Sequence, residues 1–267
     1  MNEIIRVIVA GAGGKMGQEV VKTVLKDPEL ALTGAIDIGH TGCDAGELVG
    51  LPACGILISD DLNAVLHGSG ATVLVDFTNA QAAARNAKFA LTAGVAPVIG
   101  TTGLDEAEIG ELRKATRKFQ TGVLIVPNFT LGAVLMMSFA RQAARYFPNV
   151  EIIELHHDQK IDAPSGTALL TAQSIGAERK PFHQGHPQEH EKIAGVRGGD
   201  WNGIRLHSVR LPGLVAHQEV IFGGPGQILT IRHDSINRES FMPGVALAIK
   251  KVRQLQGVNI GLETVLS

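Results

Sequence analysis

The stretch Val7-Ile-Val-Ala-Gly-Ala-Gly-Gly-Lys-Met-Gly17 joins an apolar, β-branched run to four closely spaced glycines. The run predicts a buried strand, and the apolar spacing from Met16 to Val24 predicts a helix after it. Glycines suit this turn because it is tight and because a pyrophosphate must lie against bare amides at the helix N-terminus. The stretch therefore predicts a dinucleotide site, with a purely structural glycine turn as the alternative. The expected cofactor-binding residues are Gly11, Ala12, Gly13, Gly14, Lys15, Met16 and Gly17.

Asp37 stands where such a site needs an acid. A second predicted strand, Leu30–Ile36, ends directly before it. An acidic residue about 20 positions beyond the glycines typically accepts a hydrogen bond from a ribose hydroxyl of the nucleotide. We therefore expect Asp37 to contact the cofactor.

Short apolar runs continue to alternate with helical segments up to about residue 126. Strands are predicted at Val73–Phe77, Pro97–Gly100 and Val123–Val126, and helices at Ala80–Ala93 and Asp105–Phe119. The last of these helices should begin in a capping box formed by Asp105 and Glu108. Continuous apolar strands separated by helices are typical of a parallel, doubly wound sheet. The fold class predicted for this part is α/β, with a Rossmann-type sheet.

The carboxyl ends of the predicted strands carry further candidates, because ligands on such sheets bind beyond those ends. One strand runs into Phe77, and the next runs into Gly100-Thr-Thr-Gly103. Both segments are therefore candidates for the same site. Asp76 closes an apolar strand, and either a structural role, such as capping the next helix, or a functional role is open to it.

The pattern changes after Pro127. A helix is predicted at Leu131–Tyr146, a strand at Val150–Leu155, a helix from Ser165, strands at Ile204–Leu211, Glu219–Phe222 and Ile228–His233, and a last helix at Pro243–Gln256. Strands that follow one another without helices predict an α+β domain with an open, mostly antiparallel sheet. We therefore expect a dinucleotide-binding domain at 1–126 and 238–267. The intervening residues 127–237 are expected to bind substrate and to form oligomers.

The segment Glu151-Ile-Ile-Glu-Leu-His-His-Asp-Gln-Lys-Ile-Asp-Ala-Pro-Ser-Gly-Thr167 concentrates the chemistry of the second domain. It offers two imidazoles (His156 and His157), a fixed positive charge (Lys160) and the start of a helix capped by Ser165, with the amides of Gly166 and Thr167 as donors. This set suits the protonation of a small anionic substrate. A structural imidazole and a plain capped helix after a surface lysine are the alternatives. We expect no metal, because adjacent residues on a strand point to opposite faces.

The bulk composition excludes several classes of protein. Of the 267 residues 45% are hydrophobic and 19% charged, and the formal net charge is −2. No basic run exceeds two residues and no apolar run reaches a membrane-spanning length, so neither nucleic acid nor membrane is an expected partner. Two cysteines give no disulfide framework. The expected location is cytoplasmic.

The Glu-Ile-Ile-Glu-x-His-His-x-x-Lys-x-Asp-Ala-Pro-Ser-Gly-Thr segment resembles the signature of bacterial dihydrodipicolinate reductases. The glycine turn, Val-Asp-Phe-Thr (75–78), Gly-Thr-Thr-Gly (100–103), Pro-Asn-Phe-Thr-Leu-Gly (127–132) and Val-Arg-Gly-Gly-Asp (196–200) are similar to other blocks of that family, in the same order. The resemblance implies an NAD(P)H-dependent oxidoreductase of diaminopimelate and lysine biosynthesis. Its reaction is the reduction of 4-hydroxy-tetrahydrodipicolinate to tetrahydrodipicolinate with loss of water. The resemblance also implies a homotetramer built through the sheets of the second domain.

The same resemblance assigns roles to individual residues. His156 would be the proton donor and Lys160 the second catalytic residue, with His157, Gly166 and Thr167 holding the substrate carboxylates beside Ser165. Besides the glycine turn and Asp37, Phe77 is expected at the cofactor, Gly100, Thr101 and Thr102 would lie beside the nicotinamide, and Asn128 and Phe129 would lie at the hinge.

One departure from the family concerns the nucleotide. Many members that use NADPH place an arginine directly after the ribose acid, whereas Ile38, Gly39 and His40 follow Asp37 here. A carboxylate without a neighbouring cation repels a 2′-phosphate, and Lys15 compensates for this only in part. We expect NADH and NADPH both to be used, with a preference for NADH.

Three rival interpretations remain open at this stage. The first is another two-domain nicotinamide oxidoreductase acting on an amino or sugar acid, and a substrate screen separates the two. The second is a redox sensor that binds NAD(H) without turnover. The third is a zinc hydrolase, which metal analysis of the purified protein would identify.

Overall fold

The computed structural model describes residues 3–101, 103–180 and 184–266. The chain forms two compact units, Met1–Phe129 with Phe241–Ser267, and Thr130–Ser240. The junctions lie at 129 and 240 rather than at the expected 126 and 237. Phe129 belongs to the first unit because its side chain is buried and its ring centroid lies 5.4 Å from that of Phe77.

The first unit contains a seven-stranded sheet in the order β12-β6-β5-β4-β1-β2-β3. All of its paired strands are parallel. This confirms the predicted Rossmann-type sheet. The strands are β1 (Ile5–Ala10), β2 (Leu30–Ile36), β3 (Ile58–Ser59), β4 (Val73–Asp76), β5 (Ala96–Ile99), β6 (Val123–Ile125) and β12 (Val258–Ile260).

The helices of the first unit cover this sheet. One buried cluster joins α4 and α5 to β5 and β6, and another joins α3 to β1, β2 and β4. The predicted capping box is confirmed, since Asp105 accepts from the Glu108 amide and the Glu108 side chain from the Asp105 amide. The helices are α1 (Lys15–Lys26), α2 (Ala45–Leu48), α3 (Leu62–Gly68), α4 (Ala80–Thr92), α5 (Glu106–Phe119) and α8 (Met242–Val252), and Leu262–Val265 forms a 3₁₀ turn.

The second unit has a five-stranded sheet in the order β11-β10-β7-β9-β8. Only the β7–β9 pair is parallel within this sheet, which confirms the expected mostly antiparallel arrangement. Its helices α6 and α7 pack with the sheet in one buried cluster. The strands are β7 (Asn149–His156), β8 (Gly199–Trp201), β9 (Ile204–Arg210), β10 (Ala216–Gly224) and β11 (Gln227–Ser235), and the helices are α6 (Leu131–Ala143) and α7 (Gly166–Gly176).

Alternation along β7 separates two chemically different faces. Val150, Ile152 and Glu154 are buried on the side of the helices. Glu151 and Ile153 point to the opposite face, where both are only partly buried. The second unit thus keeps one face of its sheet outside the buried cluster.

Candidate active site

The glycine turn between β1 and α1 has the geometry that a dinucleotide site requires. Gly11 has φ +79°, and a Cβ atom there would lie 2.8 Å from the carbonyl oxygen of Phe77. At Gly17 a Cβ atom would lie 1.9 Å from the carbonyl oxygen of Gly11. Helix α1 begins after Gly14, which has no side chain to cap the first amides of the helix, and uncapped amides at a helix start suit an anionic group.

Asp37 is connected to this turn. Its Oδ2 accepts a hydrogen bond from the Gly13 amide at 2.9 Å, and its Oδ1 accepts one from the Gly39 amide at 2.8 Å. The imidazole of His40 lies over Gly13, since a Cβ atom there would be 2.1 Å from His40 Cδ2. The structure therefore brings the predicted ribose acid and the glycine turn together.

The carboxyl ends of β4 and β5 meet beside the same turn. A Cβ atom on Gly100 would lie 2.3 Å from the Phe77 ring, and the Phe77 ring also contacts Phe129. Thr101 presents a buried Oγ1 that has no hydrogen-bond partner among the described residues. This unpaired hydroxyl fits a polar ligand at the end of β5. Thr102 lies outside the described residues, and Asn128 directly precedes Phe129.

Asp76 is structural in the sense that it organises the turn after β4. The carboxylate is buried and accepts hydrogen bonds from the Thr78 amide at 2.9 Å and from the Asn86 side chain at 2.8 Å. It does not cap α4, because Asn79 accepts the Ala82 amide there. Burial raises the pKa of Asp76 above its ordinary value.

In the second unit His156 is the last residue of β7, and its imidazole is tied to a buried carboxylate. Its Nδ1 lies 2.5 Å from Oε2 of Glu154, whose side chain is fully buried. Arg210 on β9 donates to both oxygens of Glu154, at 2.9 and 2.7 Å. Burial raises the pKa of Glu154, but hydrogen bonds from His156 and Arg210 outweigh it and hold that pKa at about 2.

His157 and Lys160 follow in the loop after β7. His157 is exposed and its carbonyl accepts the Lys160 amide at 3.2 Å. The Lys160 ammonium lies 2.6 Å from Oδ1 of Asp162. The lysine side chain is 20% exposed, whereas the aspartate side chain is 61% exposed. Asp158 is solvent-exposed.

Helix α7 begins at Gly166, and Ser165 caps it as predicted by accepting the Ala168 amide at 3.2 Å. Apart from the adjoining residues and the backbone of α7 itself, no atom in the part of the chain that the structure describes lies within 4 Å of the point where a Gly166 Cβ would stand. The Ser165 amide donates to Oε1 of Glu154 at 3.3 Å. His156, Glu154 and the start of α7 therefore form one connected group, to which Asp162 is joined because its carbonyl accepts from Arg210 at 2.7 Å.

Sequence reasoning missed Glu154 and Arg210. The sequence did contain a signal for Glu154. Side chains alternate between the two faces of a strand, and Glu154 lies on the same face as Val150 and Ile152, which is the buried one. A carboxylate at such a position needs a partner. Arg210 gave no local signal, because it lies 56 residues further along the chain.

Two family models match nearly the whole chain, the N-terminus of dihydrodipicolinate reductase at residues 5–129 and its C-terminus at residues 132–266. The chain belongs to the dihydrodipicolinate reductase family. This confirms the resemblance carried by the sequence blocks. The 4-hydroxy-tetrahydrodipicolinate reductases of Desulfitobacterium hafniense and Moorella thermoacetica are 59% and 55% identical to it, and each alignment covers 98% of both chains.

Solved structures agree with membership of the reductase family. Dipicolinate-bound dihydrodipicolinate reductase from Paenisporosarcina sp. TG-14 matches with a TM-score of 0.91 and 44% identity, covering 98% of this chain and 100% of that one. An amine dehydrogenase from Mycobacterium smegmatis matches with a TM-score of 0.67 at 16% identity, covering 96% of this chain and 94% of that one, and shares the fold alone.

Two other kinds of feature are absent from the described residues. No group of three or more His, Cys, Asp or Glu side chains there could hold a metal ion. Within the same ranges no helix is both long and apolar enough to cross a membrane.

Proposed function

We propose that the chain reduces 4-hydroxy-tetrahydrodipicolinate to tetrahydrodipicolinate, with loss of water, at the expense of NADH or NADPH. This is a step of diaminopimelate and lysine biosynthesis, and we place it in the cytoplasm, where the nucleotide supply of biosynthetic reductases lies. The observation that carries the proposal is the His156, Lys160 and α7 group, in a chain that both halves of the reductase family match. A dicarboxylate substrate suits a lysine on the loop that Arg210 and Glu154 connect to a helix start.

The cofactor site is proposed to consist of the glycine turn, Asp37, Phe77, Gly100 to Thr102, Asn128 and Phe129. Two observations support it: Asp37 accepts the Gly13 amide of the turn, and the buried Thr101 hydroxyl has no hydrogen-bond partner among the described residues. A Cβ at Gly11 or Gly100 would meet Phe77, so these glycines let the strand ends pack closely together at the site. When bound, the nicotinamide supplies a hydride. Asp37 orients the ribose, and the first amides of α1 take the pyrophosphate.

For the chemistry, we assign His156 as the proton donor and Lys160 as the second catalytic residue. A protonated imidazole suits proton transfer near neutral pH. Lys160 is paired with Asp162, and a substrate carboxylate competes with that exposed partner for the ammonium. His157, Ser165, Gly166 and Thr167 are assigned to hold the carboxylates. Each carboxylate then meets a charge or a backbone donor at one end of β7 and α7.

We also propose that the protein is a homotetramer that assembles through the sheet of the second unit. The face of β7 opposite the helices supports this, because it carries Ile153 between Glu219 on β10 and His207 on β9. Ile228 on β11 is 76% exposed at the edge of the same sheet. Light scattering of the purified protein tests the proposal, and a monomer at micromolar concentration would contradict it.

The experiment that tests the reaction follows the loss of nicotinamide absorbance with freshly generated 4-hydroxy-tetrahydrodipicolinate, in parallel with NADH and NADPH. We expect turnover with both nucleotides and loss of at least about 10²-fold in kcat for H156Q, the usual contribution of a general acid. Nucleotide binding by calorimetry without any turnover would instead support a sensor of the NAD(H) ratio.

A further inference from the structure

Glu154 joins two parts of the site that the proposed function uses separately. Its Oε2 faces Nδ1 of His156 at 2.5 Å, and its Oε1 accepts the Ser165 amide, which stands at the cap of α7, at 3.3 Å. The carboxylate is fully buried, so it cannot exchange these partners for water. A single side chain is therefore in contact with the proton donor and with the start of the anion-binding helix.

The contact with Glu154 distinguishes the two nitrogens of His156. An ionised carboxylate can only accept hydrogen bonds, so Nδ1 must carry a proton toward it. In the imidazolium both nitrogens are protonated, and only the Nε2 proton is then available for transfer. When Nε2–H breaks, its electron pair stays on Nε2 and the proton goes to the substrate. The product is a neutral imidazole that still holds its proton on Nδ1.

Arg210 keeps Glu154 ionised and fixed. Its guanidinium donates through Nη1 to one carboxylate oxygen and through Nη2 to the other, which is the bidentate geometry that orients both planes. Nη2 also donates to the Asp162 carbonyl, so Arg210 holds the loop that carries Lys160. If either partner moved away, the other would be left as an uncompensated buried charge, which is strongly unfavourable. The two side chains are therefore held together rigidly.

We propose that Glu154 and Arg210 are positioning residues for the reaction, and that they hold His156 in the Nδ1–H tautomer with Nε2 as the atom that gives up the proton. This rests on the proposed function, because it needs His156 to be the proton donor. The two residues act through His156 and through the start of α7.

The test replaces the carboxylate by an amide of the same shape, E154Q. An amide nitrogen can donate a hydrogen bond to an unprotonated Nδ1, so the neutral imidazole of the variant is no longer restricted to the Nδ1–H tautomer. With ¹⁵N-labelled histidine, the ring shifts report the tautomer, and the spectrum of H156Q identifies the His156 signals. We expect neutral His156 to be Nδ1–H in the wild type and to lose that preference in E154Q. The kcat of E154Q should fall about 10²-fold, with KM changed much less.

Glu151 provides a matched control, because it stands on the same strand and points to the opposite face. It is paired with Arg197 at 2.7 Å and with His207 at 2.8 Å. The variant E151Q removes a comparable carboxylate from a comparable network but leaves the Glu154 contact intact. We expect His156 in E151Q to keep the wild-type tautomer.

A fold defect does not prevent the test. E154Q leaves the Arg210 guanidinium facing a neutral amide, and a cooperative thermal transition shows whether the variant is folded. If it is not, the double variant E154Q/R210Q removes both charges and carries the same tautomer prediction. A wild-type tautomer in the folded variant would overturn the positioning role. The absence of turnover in the wild-type protein would overturn the proposed function, and the tautomer measurement does not depend on turnover.

Discussion

Oδ2 of Asp37 lies 2.9 Å from the Gly13 amide nitrogen, so the acid that directly follows β2 is held against the glycine turn. The next residue, Ile38, has 91% of its surface exposed. A side chain at position 38 can therefore be exchanged without disturbing the core. This position offers a direct way to test what selects the nucleotide.

We expect the wild-type protein to use NADH with higher kcat/KM than NADPH, because Asp37 repels a 2′-phosphate. The variant I38R should raise the NADPH to NADH ratio about tenfold, equivalent to roughly 1.4 kcal/mol for one new charged contact. Parallel kinetics with both nucleotides measure this, with I38Q as the uncharged control of similar reach. A ratio favouring NADPH in the wild type would remove the preference for NADH.

Lys160 should contribute more to substrate binding than the helix start. We expect K160M to lower kcat/KM by roughly 10- to 100-fold, since a charged hydrogen bond contributes about 1.5–3 kcal/mol. The control D162N removes only the exposed partner of the ammonium and should change kcat/KM by less than about threefold, as is usual for exposed ion pairs. Equal losses of kcat/KM in K160M and D162N would mean that activity depends on the Lys160–Asp162 ion pair and not on the lysine alone.

Two helical glycines should respond to alanine in opposite directions. A Cβ at Gly17 in α1 would stand 1.9 Å from the Gly11 carbonyl oxygen. At Gly110 in α5, apart from the adjoining residues and the backbone of the same helix, no atom of the described residues would lie within 4 Å of a Cβ. We expect G17A to lower the free energy of unfolding by about 1–3 kcal/mol and to weaken nucleotide binding. G110A should raise that free energy by about 0.5–1 kcal/mol. Urea unfolding and nucleotide titration measure both, and equal behaviour would refute the steric argument.

Asp44 should make the stability of the first unit depend on pH. It accepts four backbone amides, from Gly46, Glu47, Cys54 and Gly55, and the hydrogen bond from Cys54 contributes most to lowering its pKa from 3.8 to about 2. Because the folded pKa lies below the unfolded one, this stabilisation is present above the unfolded value and is lost as the pH falls through the folded one.

The measurement for Asp44 compares urea midpoints of the wild type and D44N at neutral pH and at progressively lower pH. We expect D44N to be less stable at neutral pH, with the difference shrinking between the two pKa values. Asp60, which is exposed, supplies the control variant D60N. A difference that stays constant down to acidic pH would show that shape, not ionisation, accounts for the effect.

The sequence predicted what is decided locally. The β1 turn, the Ser165 cap and the Asp105 capping box each depend on residues within a few positions of one another, and the structure has all three. Phe77 and Gly100 each come directly after a parallel strand, β4 and β5, so the rule that ligands bind beyond the carboxyl ends of such strands was enough to place both at one edge of the sheet. Helix α8 ends at Val252, before the expected Gln256, because Leu255 is already in a turn with its amide bonded to the Val252 carbonyl.

Long-range partners and very short strands were not predictable in the same way. Strands β3, β8 and β12 have two or three residues, too few to show a period of two. The bidentate contact of Glu154 is made by Arg210, and the sequence near Glu154 does not indicate which distant cation will pair with it. Such pairs are chosen by sheet register, which places Glu154 opposite Ser208 and His156 opposite Arg210.

The pairing of β6 with β12 has a consequence for the order in which the chain is made. Val123 is aligned with Val258, so the last strand of the large sheet is synthesised after the entire second unit, which ends at Ser240. During translation the second unit is complete while the first still has an unfilled sheet edge beside β6. We expect that edge to stay unpaired until β12 has left the ribosome.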